Sequence, residues 1–299
     1  MRYLVTGGTG FVGSNLALHL LAEGHTVLVT GRKGEQALPG EITVLDPQKI
    51  DWDAVGKLDA VFHEAAITDT TVLDRKRMFD ANVEFAKHVF THTVTQGCKR
   101  IVFASSTAAY GDAPAPYEEG VTPLHPLNPY GESKKALEEF AAQFGKEHPD
   151  VTIVGLRYCN VYGPRESHKG KMASMIYQLA QQMLKGDPRL FKHGEQKRDW
   201  IYVKDVVRAN VLAAQAKQSC IVNCGSGNAV SFNDLIAILN EALGLDRKPE
   251  YIDNPYAKQY QSYTECDMTL AKKMLGFIPQ YDVRKGIKDY HASGFLIKN

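Results

Sequence analysis

The sequence has almost no excess of charge: 35 Lys and Arg stand against 34 Asp and Glu, a formal net charge of +1. No global field draws the chain to nucleic acid or to an anionic membrane, so any phosphate it holds must be gripped by local groups. It also lacks an apolar run near the roughly 18 residues that a membrane-spanning helix needs. The first residues, Met1-Arg2-Tyr3-Leu4-Val5-Thr6-Gly7, read directly as a strand entering a glycine turn, which leaves no room for a cleaved leader. A cytoplasmic location is the expectation. Cysteine is sparse. Cys98, Cys159, Cys220, Cys224 and Cys266 are odd in number and scattered, which argues against a disulfide framework. Cys220 and Cys224 sit in the strand-like run Cys-Ile-Val-Asn-Cys with no histidine nearby. They read as small core residues, and no metal site is expected.

What is present is an alternation. Apolar runs at Arg2–Thr6, Thr26–Thr30, Ala60–His63, Arg100–Ala104 and Thr152–Leu156 read as strands. Helical periodicity marks Phe11–Glu23, Met78–Gln96 and Tyr130–Lys146. Strands alternating with helices imply a doubly wound α/β fold, a parallel Rossmann sheet with helices on both faces. After about Cys159 the rhythm breaks, and Gly, Pro, Lys and Arg become denser through Gly163–Asp199. Trp200–Lys217 and Ser219–Gly225 look like a return to the main sheet, while Phe232–Leu243 and Thr269–Leu275 read as further helices. The expected division is therefore a dinucleotide-binding domain over 1–158, rejoined by 200–225. A smaller interleaved C-terminal lobe takes 159–199 and 226–299 and would hold the substrate.

Thr6-Gly7-Gly8-Thr9-Gly10-Phe11-Val12-Gly13 joins the first strand to the first helix, with Gly7, Gly10 and Gly13 spaced Gly-x-x-Gly-x-x-Gly. Such a turn must be tight, must let backbone approach a pyrophosphate, and must aim free helix N–H groups at it. Strand, turn and helix in register make this a dinucleotide site rather than a bare turn. The second strand ends in Val29-Thr30-Gly31-Arg32-Lys33, without the carboxylate that would bond the adenosine ribose of NAD. Arg32 and Lys33 are either solvated loop charges or the grip on a 2′-phosphate. The charge pattern favours NADP, with NAD as the alternative.

Asn128-Pro129-Tyr130-Gly131-Glu132-Ser133-Lys134 opens a helix, and Tyr130 and Lys134, four apart, share one face of it. A tyrosine serves as a base when its pKa falls from about 10, and a neighbouring ammonium lowers it. The preceding strand ends in Ala104-Ser105-Ser106, which places the Ser106 hydroxyl where it could orient a reacting oxygen towards Tyr130.

Together the glycine turn, Ser106, Tyr130 and Lys134 resemble the extended short-chain dehydrogenase/reductase family of epimerases and dehydratases, over nearly the whole chain. Arg157–Arg165 and Asp199–Val206 are similar to two further signatures of that family. Phe62-His63-Glu64-Ala65-Ala66 and the run His168-Lys169-Gly170-Lys171-Met172-Ala173-Ser174 are similar to its ADP-heptose 6-epimerase branch. The resemblance implies an NAD(P)-dependent nucleotide-sugar epimerase in which Gly7, Gly10, Phe11 and Val12 hold the pyrophosphate. Glu64, Ala65, Ala66, Asn82 and Lys134 then line the cofactor groove, and Asn160, Lys171, Gln178, Phe191, Arg198 and Tyr260 contact the nucleotide-sugar. Tyr130 and Lys169 become two acid/base groups, because an exocyclic alcohol places its oxygen differently in the two epimers. Gln178 stands where the branch often has His, and Arg32 departs from the usual acidic strand end. A homo-oligomer built through helices that flank the sheet is also implied. The alternatives are a UDP-sugar 4-epimerase, then a dehydratase (disfavoured because Thr107 stands where those enzymes tend to place Asp-Glu), and a non-catalytic NADP-binding sensor. Such sensors usually lose the Tyr or the Lys, and this chain keeps both.

Overall fold

Val, Ile and Leu crowd the short apolar runs of the N-terminal half, and the computed structural model turns each run into a parallel strand. It describes residues 1–31, 37–254 and 262–297. In chain order the strands are β1 (Arg2–Thr6), β2 (Thr26–Thr30), β3 (Thr43–Leu45), β4 (Ala60–His63), β5 (Arg100–Ser106), β6 (Thr152–Tyr158) and β7 (Asn160–Tyr162). There follow β8 (Arg189–Phe191), β9 (Lys197–Tyr202), β10 (Cys220–Cys224), β11 (Ala229–Ser231), β12 (Glu250–Ile252) and β13 (Tyr263–Thr264). The helices are α1 (Phe11–Ala22), α2 (Trp52–Val55), α3 (Arg75–Phe79), α4 (Phe85–Thr95), α5 (Pro129–Glu147), α6 (Met175–Met183), α7 (Val203–Ala213), α8 (Phe232–Leu243), α9 (Thr269–Leu275) and α10 (Val283–Ala292). None of the described helices is long and apolar enough to cross a membrane.

The main sheet has seven strands in the order β10-β6-β5-β4-β1-β2-β3, and every pairing in it is parallel. The strand order reverses between β1 and β4. In doubly wound sheets the crevice beyond the carboxyl ends of the strands at such a point takes the ligand. One face of the sheet packs on α1, α7 and α9 through Val5, Leu16, Val102, Leu156 and Ala271. The other packs on α2, α4 and α5 through Leu4, Phe90, Phe103, Leu137 and Phe144. Each large apolar side chain buried this way contributes about 1.5–3 kcal/mol. A third core, around Ile176, Leu190, Trp200, Leu235 and Ile287, builds the lobe. There β9 pairs with β7, β11 and β13, and β8 pairs with β12.

The expected doubly wound Rossmann fold is observed; several boundaries differ. The helix expected at Met78–Gln96 begins earlier, at Arg75, because the Asp74 carboxylate caps it by accepting from the Arg77 N–H. It also carries a π-helical turn at Asp80–Glu84 that brings Asn82 inward. The three-residue strand β3 is too short to show a period in the sequence. The division of the chain also shifts. α9, expected in the lobe, packs against β10 and α7, because Ala271, Leu275 and Phe277 complete the apolar cover of the main sheet. Tyr202, expected in the returning segment, ends the central strand of the lobe.

Candidate active site

The glycine turn closes on itself and on its neighbours. Gly10 donates to the Gly7 carbonyl at 2.9 Å, Gly8 to the Thr30 carbonyl at 2.8 Å, and Gly7 to the Thr30 hydroxyl at 3.1 Å. Gly7 has φ of +65°, and a Cβ there would lie 2.8 Å from the Ala65 backbone, so only glycine lets β4 and the turn approach this closely. Gly10 caps α1 without a side chain, and the first turn of α1 carries no acidic residue. The first intrahelical bond is Ser14 N–H to the Gly10 carbonyl, which leaves the N–H groups of Phe11, Val12 and Gly13 aimed past the helix end. That cradle fits a dinucleotide pyrophosphate. Glu64, Ala65 and Ala66 follow β4 across the crevice. Asn82 is fully buried beneath it, bonded to Ile67 N and O and to Ser133 Oγ, so it braces the groove rather than lining it. Arg32 and Lys33 lie outside the described residues.

Beyond β5 the chain forms a short turn, Thr107–Ala109, on which the start of α5 rests. Gly131 makes this approach possible, since a Cβ there would meet the Ala108 carbonyl oxygen at 2.5 Å. Asn128 caps α5 by accepting from Gly131 N–H at 2.9 Å, and Pro129 fills its first position. The Lys134 ammonium stands 5.8 Å from the centre of the Tyr130 ring and donates to the Ala104 carbonyl at 2.8 Å. The Ser106 hydroxyl, whose Oγ accepts from the Ala108 N–H at 3.1 Å, stands close enough to the Tyr130 phenol to lower its pKa. One expectation fails. Tyr130 does not sit below its ordinary range: burial raises it, Ser106 lowers it, and Glu64 raises it again. Lys134 is the group that moves down, to about 8, driven by burial and opposed by Glu64 and Glu138. Desolvation of the phenol itself is the largest influence on Tyr130 and outweighs its neighbours.

Across the crevice the lobe presents a cavity of about 560 Å³. Asn160, Lys169, Lys171, Gln178, Phe191 and Arg198 all line it, so six positions spread over 39 residues of sequence converge. Thr70, from the loop after β4, closes its near side. The Lys169 ammonium stands 5.6 Å from the centre of the Phe11 ring, beside the cofactor turn. Burial lowers its pKa and Glu166 raises it, with burial the larger influence. Gln178 both lines the cavity and braces it, donating to the carbonyls of Ala173 at 2.7 Å and Lys171 at 3.2 Å. Arg198 lies 6.0 Å from the Phe232 ring centre, and Asn160 donates to the Asp199 carbonyl at 2.8 Å. Tyr260 lies outside the described residues.

The sequence profile of the NAD-dependent epimerase/dehydratase family matches residues 3–225. The chain belongs to that family. Among solved structures it is similar to the Helicobacter pylori ADP-L-glycero-D-manno-heptose-6-epimerase, with 36% identity and a TM-score of 0.85 over 98% of this chain and 95% of the other. It is also similar to the Thermotoga maritima UDP-glucose 4-epimerase solved with UDP-glucose, with 29% identity and a TM-score of 0.87 over 98% and 99%. A third is the Thermus thermophilus UDP-glucose 4-epimerase in complex with NAD, with 27% identity and a TM-score of 0.82 over the whole of both chains. This chain is an enzyme of the epimerase/dehydratase family, and NAD is the cofactor class of that family.

Three buried groups of this epimerase/dehydratase-family enzyme escape sequence reading. Glu138 lies one turn after Lys134 on the same buried face, where it accepts both Arg157 nitrogens at 2.8 and 2.7 Å and the Ser105 hydroxyl at 2.5 Å. A charge on an otherwise apolar helix face was the signal. Glu166 is fully buried and accepts from Gly163 N–H, Ser174 N–H and Ser174 Oγ, so one carboxylate ties both ends of the loop that carries Lys169. Asp199 gathers Cys159 and Cys266 around it, a cluster unforeseen beside Cys220 and Cys224. Its oxygens already accept from Ser226 N–H and Oγ, Gly227 N–H and Cys266 N–H, which is the chemistry of a structural hub rather than of a metal ligand.

Proposed function

We propose that this enzyme is a nucleotide-sugar epimerase, and specifically that it inverts carbon 6 of an ADP-linked glycero-manno-heptose. The observation that supports this most is the convergence of Lys169, Lys171, Gln178, Phe191, Arg198 and Asn160 on one cavity beside the cofactor turn. Arg198 and Lys171 bring cations suited to a pyrophosphate, and Phe191 and Phe232 bring apolar faces suited to a base. Likeness to the heptose epimerase at 36% identity points the same way.

In this reading Gly7, Gly10, Phe11, Val12 and Gly13 hold the cofactor, with Glu64, Ala65, Ala66 and Lys134 along its groove. We favour NADP over NAD for the charge of Arg32 and Lys33 and because β2 ends at Thr30, followed by Gly31, without a carboxylate. When bound, the nicotinamide supplies the hydride acceptor that turns the alcohol into a ketone and returns the hydride to the other face. Tyr130, oriented by Ser106, holds or takes the hydroxyl proton at the oxygen position of one epimer. Lys169 does so at the position of the other; its lowered pKa brings the neutral amine, the form that accepts a proton, closer to physiological pH. Lys134 steadies negative charge on the Tyr130 oxygen while anchored to Ala104. The site is reached from the cytoplasm, and the chain works as a homo-oligomer, which light scattering of the purified protein tests.

The deciding experiment offers the enzyme each 6-epimer of the ADP-heptose and, separately, UDP-glucose, and follows conversion by NMR. Conversion of the heptose that is lost in Lys169→Met while cofactor remains bound supports the reading. Conversion of UDP-glucose alone, undiminished in Lys169→Met, replaces it by the 4-epimerase reading that likeness to the UDP-glucose enzymes favours. Nucleotide released on denaturation identifies the cofactor, and recovery of NAD alone would end the preference for NADP.

A further inference from the structure

Glu64 is a half-buried carboxyl that lies along the proposed cofactor groove but has no part in the proton transfers proposed above. It follows His63 at the end of β4, and its N–H donates to the Thr6 carbonyl at 3.2 Å. A Cβ on Gly7 would stand 3.1 Å from its carbonyl carbon, so the glycine turn rests on its backbone. Its side chain reaches over the end of the sheet, where Oε1 accepts from the Tyr158 hydroxyl at 2.8 Å. Tyr158 in turn accepts from Asn210 Nδ2 at 2.7 Å, which commits the phenol proton to Glu64. The buried carboxylates nearby have cations or N–H groups on their oxygens: Glu138 has Arg157, Asp205 has Arg208 and the N–H groups of Gln280 and Tyr281. Glu64 has a phenol. Lys134, the cation that acts on it, gives its hydrogen bond to Ala104 instead.

We propose that Glu64 biases the redox state of the cofactor: its carboxylate, set between the glycine turn and the Tyr130–Lys134 pair, stabilises the cationic oxidised nicotinamide over the neutral reduced one. The inference rests on a nicotinamide dinucleotide occupying this crevice and is independent of the sugar. Hydride transfer from the substrate removes the ring's positive charge, and a fixed negative charge opposes that step and favours the return. The ketone is thereby kept short-lived, a requirement for an enzyme whose net redox change is zero. Hydride and proton both go back to the sugar, so nothing but the position of the equilibrium is altered.

The effect carries a pH signature. Burial pushes the Glu64 carboxyl up to about 7, against the Tyr158 hydrogen bond and Lys134. The groups that face it are Lys134 and Tyr130 from α5, Tyr158 from β6, Cys224 from β10 and His63 from β4. Tyr130, Tyr158 and Cys224 are raised above their ordinary values and stay protonated, His63 is lowered to about 3 and stays neutral, and Lys134 titrates only near 8. Glu64 therefore takes up part of a proton on reduction only in a window around 7, is neutral in both states well below it, and the preference for oxidised cofactor grows with pH through that window and then levels.

The test equilibrates the holoenzyme with a redox buffer at about pH 7.5, above the titration of Glu64, and reads the bound reduced fraction at 340 nm. Glu64→Gln, which keeps an acceptor for Tyr158, should raise the ratio of reduced to oxidised bound cofactor by about tenfold, the equivalent of one pKa unit of charge interaction. Glu64→Asp should stay near wild type. A role in packing alone would weaken both cofactor forms together and leave the ratio unchanged, and an unchanged ratio in Glu64→Gln overturns the proposal. Should that variant shed its cofactor, the wild-type holoenzyme decides: reduction must take up an extra fraction of a proton, beyond that of free cofactor, that is largest near pH 7 and vanishes well above and well below it, and uptake equal to that of free cofactor throughout overturns the proposal equally.

Discussion

The two walls of the crevice are held in different ways. On the Rossmann side, Tyr130 and Lys134 stand on a 19-residue helix that is stitched to the sheet by Glu138, Arg157, Ser105 and Tyr110, with Asn223 behind them. On the lobe side, Lys169 stands in a single 3-10 stretch, Ser167–Met172, interrupted by Gly170 at φ of +54° and tied by one carboxylate. The difference teaches that Tyr130, the group proposed here for proton transfer, sits on the stiffer wall. The group expected to tell substrates apart sits where the backbone can be altered at little cost.

The strongest challenge to this contrast is Tyr130→Phe. It should lower turnover by on the order of 10²–10⁴ while leaving thermal stability and cofactor content unchanged, because only the proton-transfer oxygen is removed. A large loss of stability would mean the phenol is structural after all. Next in size is Glu138→Leu, which strands the Arg157 guanidinium beneath α5 and should cost about 3–5 kcal/mol in urea unfolding. Pairing it with Arg157→Leu should restore much of that loss, since both charges then leave the core.

His63 gives a pH test of the stiff wall. Burial holds its pKa down to about 3, with the Lys134 charge adding to the shift, while its ring bonds Thr6 Oγ1 at 2.9 Å. A histidine depressed in the folded state binds its proton only on unfolding, so stability falls as pH drops through its unfolded value of about 6.5. The loss attributable to it between about pH 7 and pH 5 is about 2 kcal/mol, and His63→Gln should flatten that part of the curve. The smallest effect belongs to the lobe. Glu166→Gln should reduce kcat/KM by about tenfold, one pKa unit's worth of interaction, with little change in unfolding midpoint. It should also shift the acid limb attributed to Lys169 to lower pH, because Glu166 raises that pKa. If Glu166→Gln unfolds the chain as readily as Glu138→Leu, the contrast between the walls is gone.

The same contrast explains what could be read in advance. The parallel sheet was legible because strands buried on both faces write continuous apolar runs, and the roles proposed for Gly7, Gly10, Tyr130 and Lys134 rest on residues within a turn or two of chain. The cavity positions Asn160, Lys171, Phe191 and Arg198 came from resemblance, since no local pattern brings β7, the Ser167–Met172 stretch, β8 and β9 together. Glu138 and Glu166 were missed because a buried carboxylate looks like a solvated one until its donors are known. Tyr130 was misjudged for the same reason: the sequence places an ammonium four residues away but says nothing of the desolvation that both groups suffer. α9 was misassigned because its apolar face does not declare which sheet it covers.

One feature of the connectivity bears on how such enzymes diversify. β6 passes into β7 through Cys159 alone, and β9 passes into α7 with no residue between Tyr202 and Val203. Lobe and main sheet are thus one braid, joined where strands end rather than by tethers. A lobe of this kind cannot be traded between relatives as a cassette, since each splice would cut a strand's hydrogen-bonding or the cap of a core helix. Room for change without cutting either sheet lies instead in the exposed part of the span between β7 and α6, at Ser167–Lys171, which belongs to no strand.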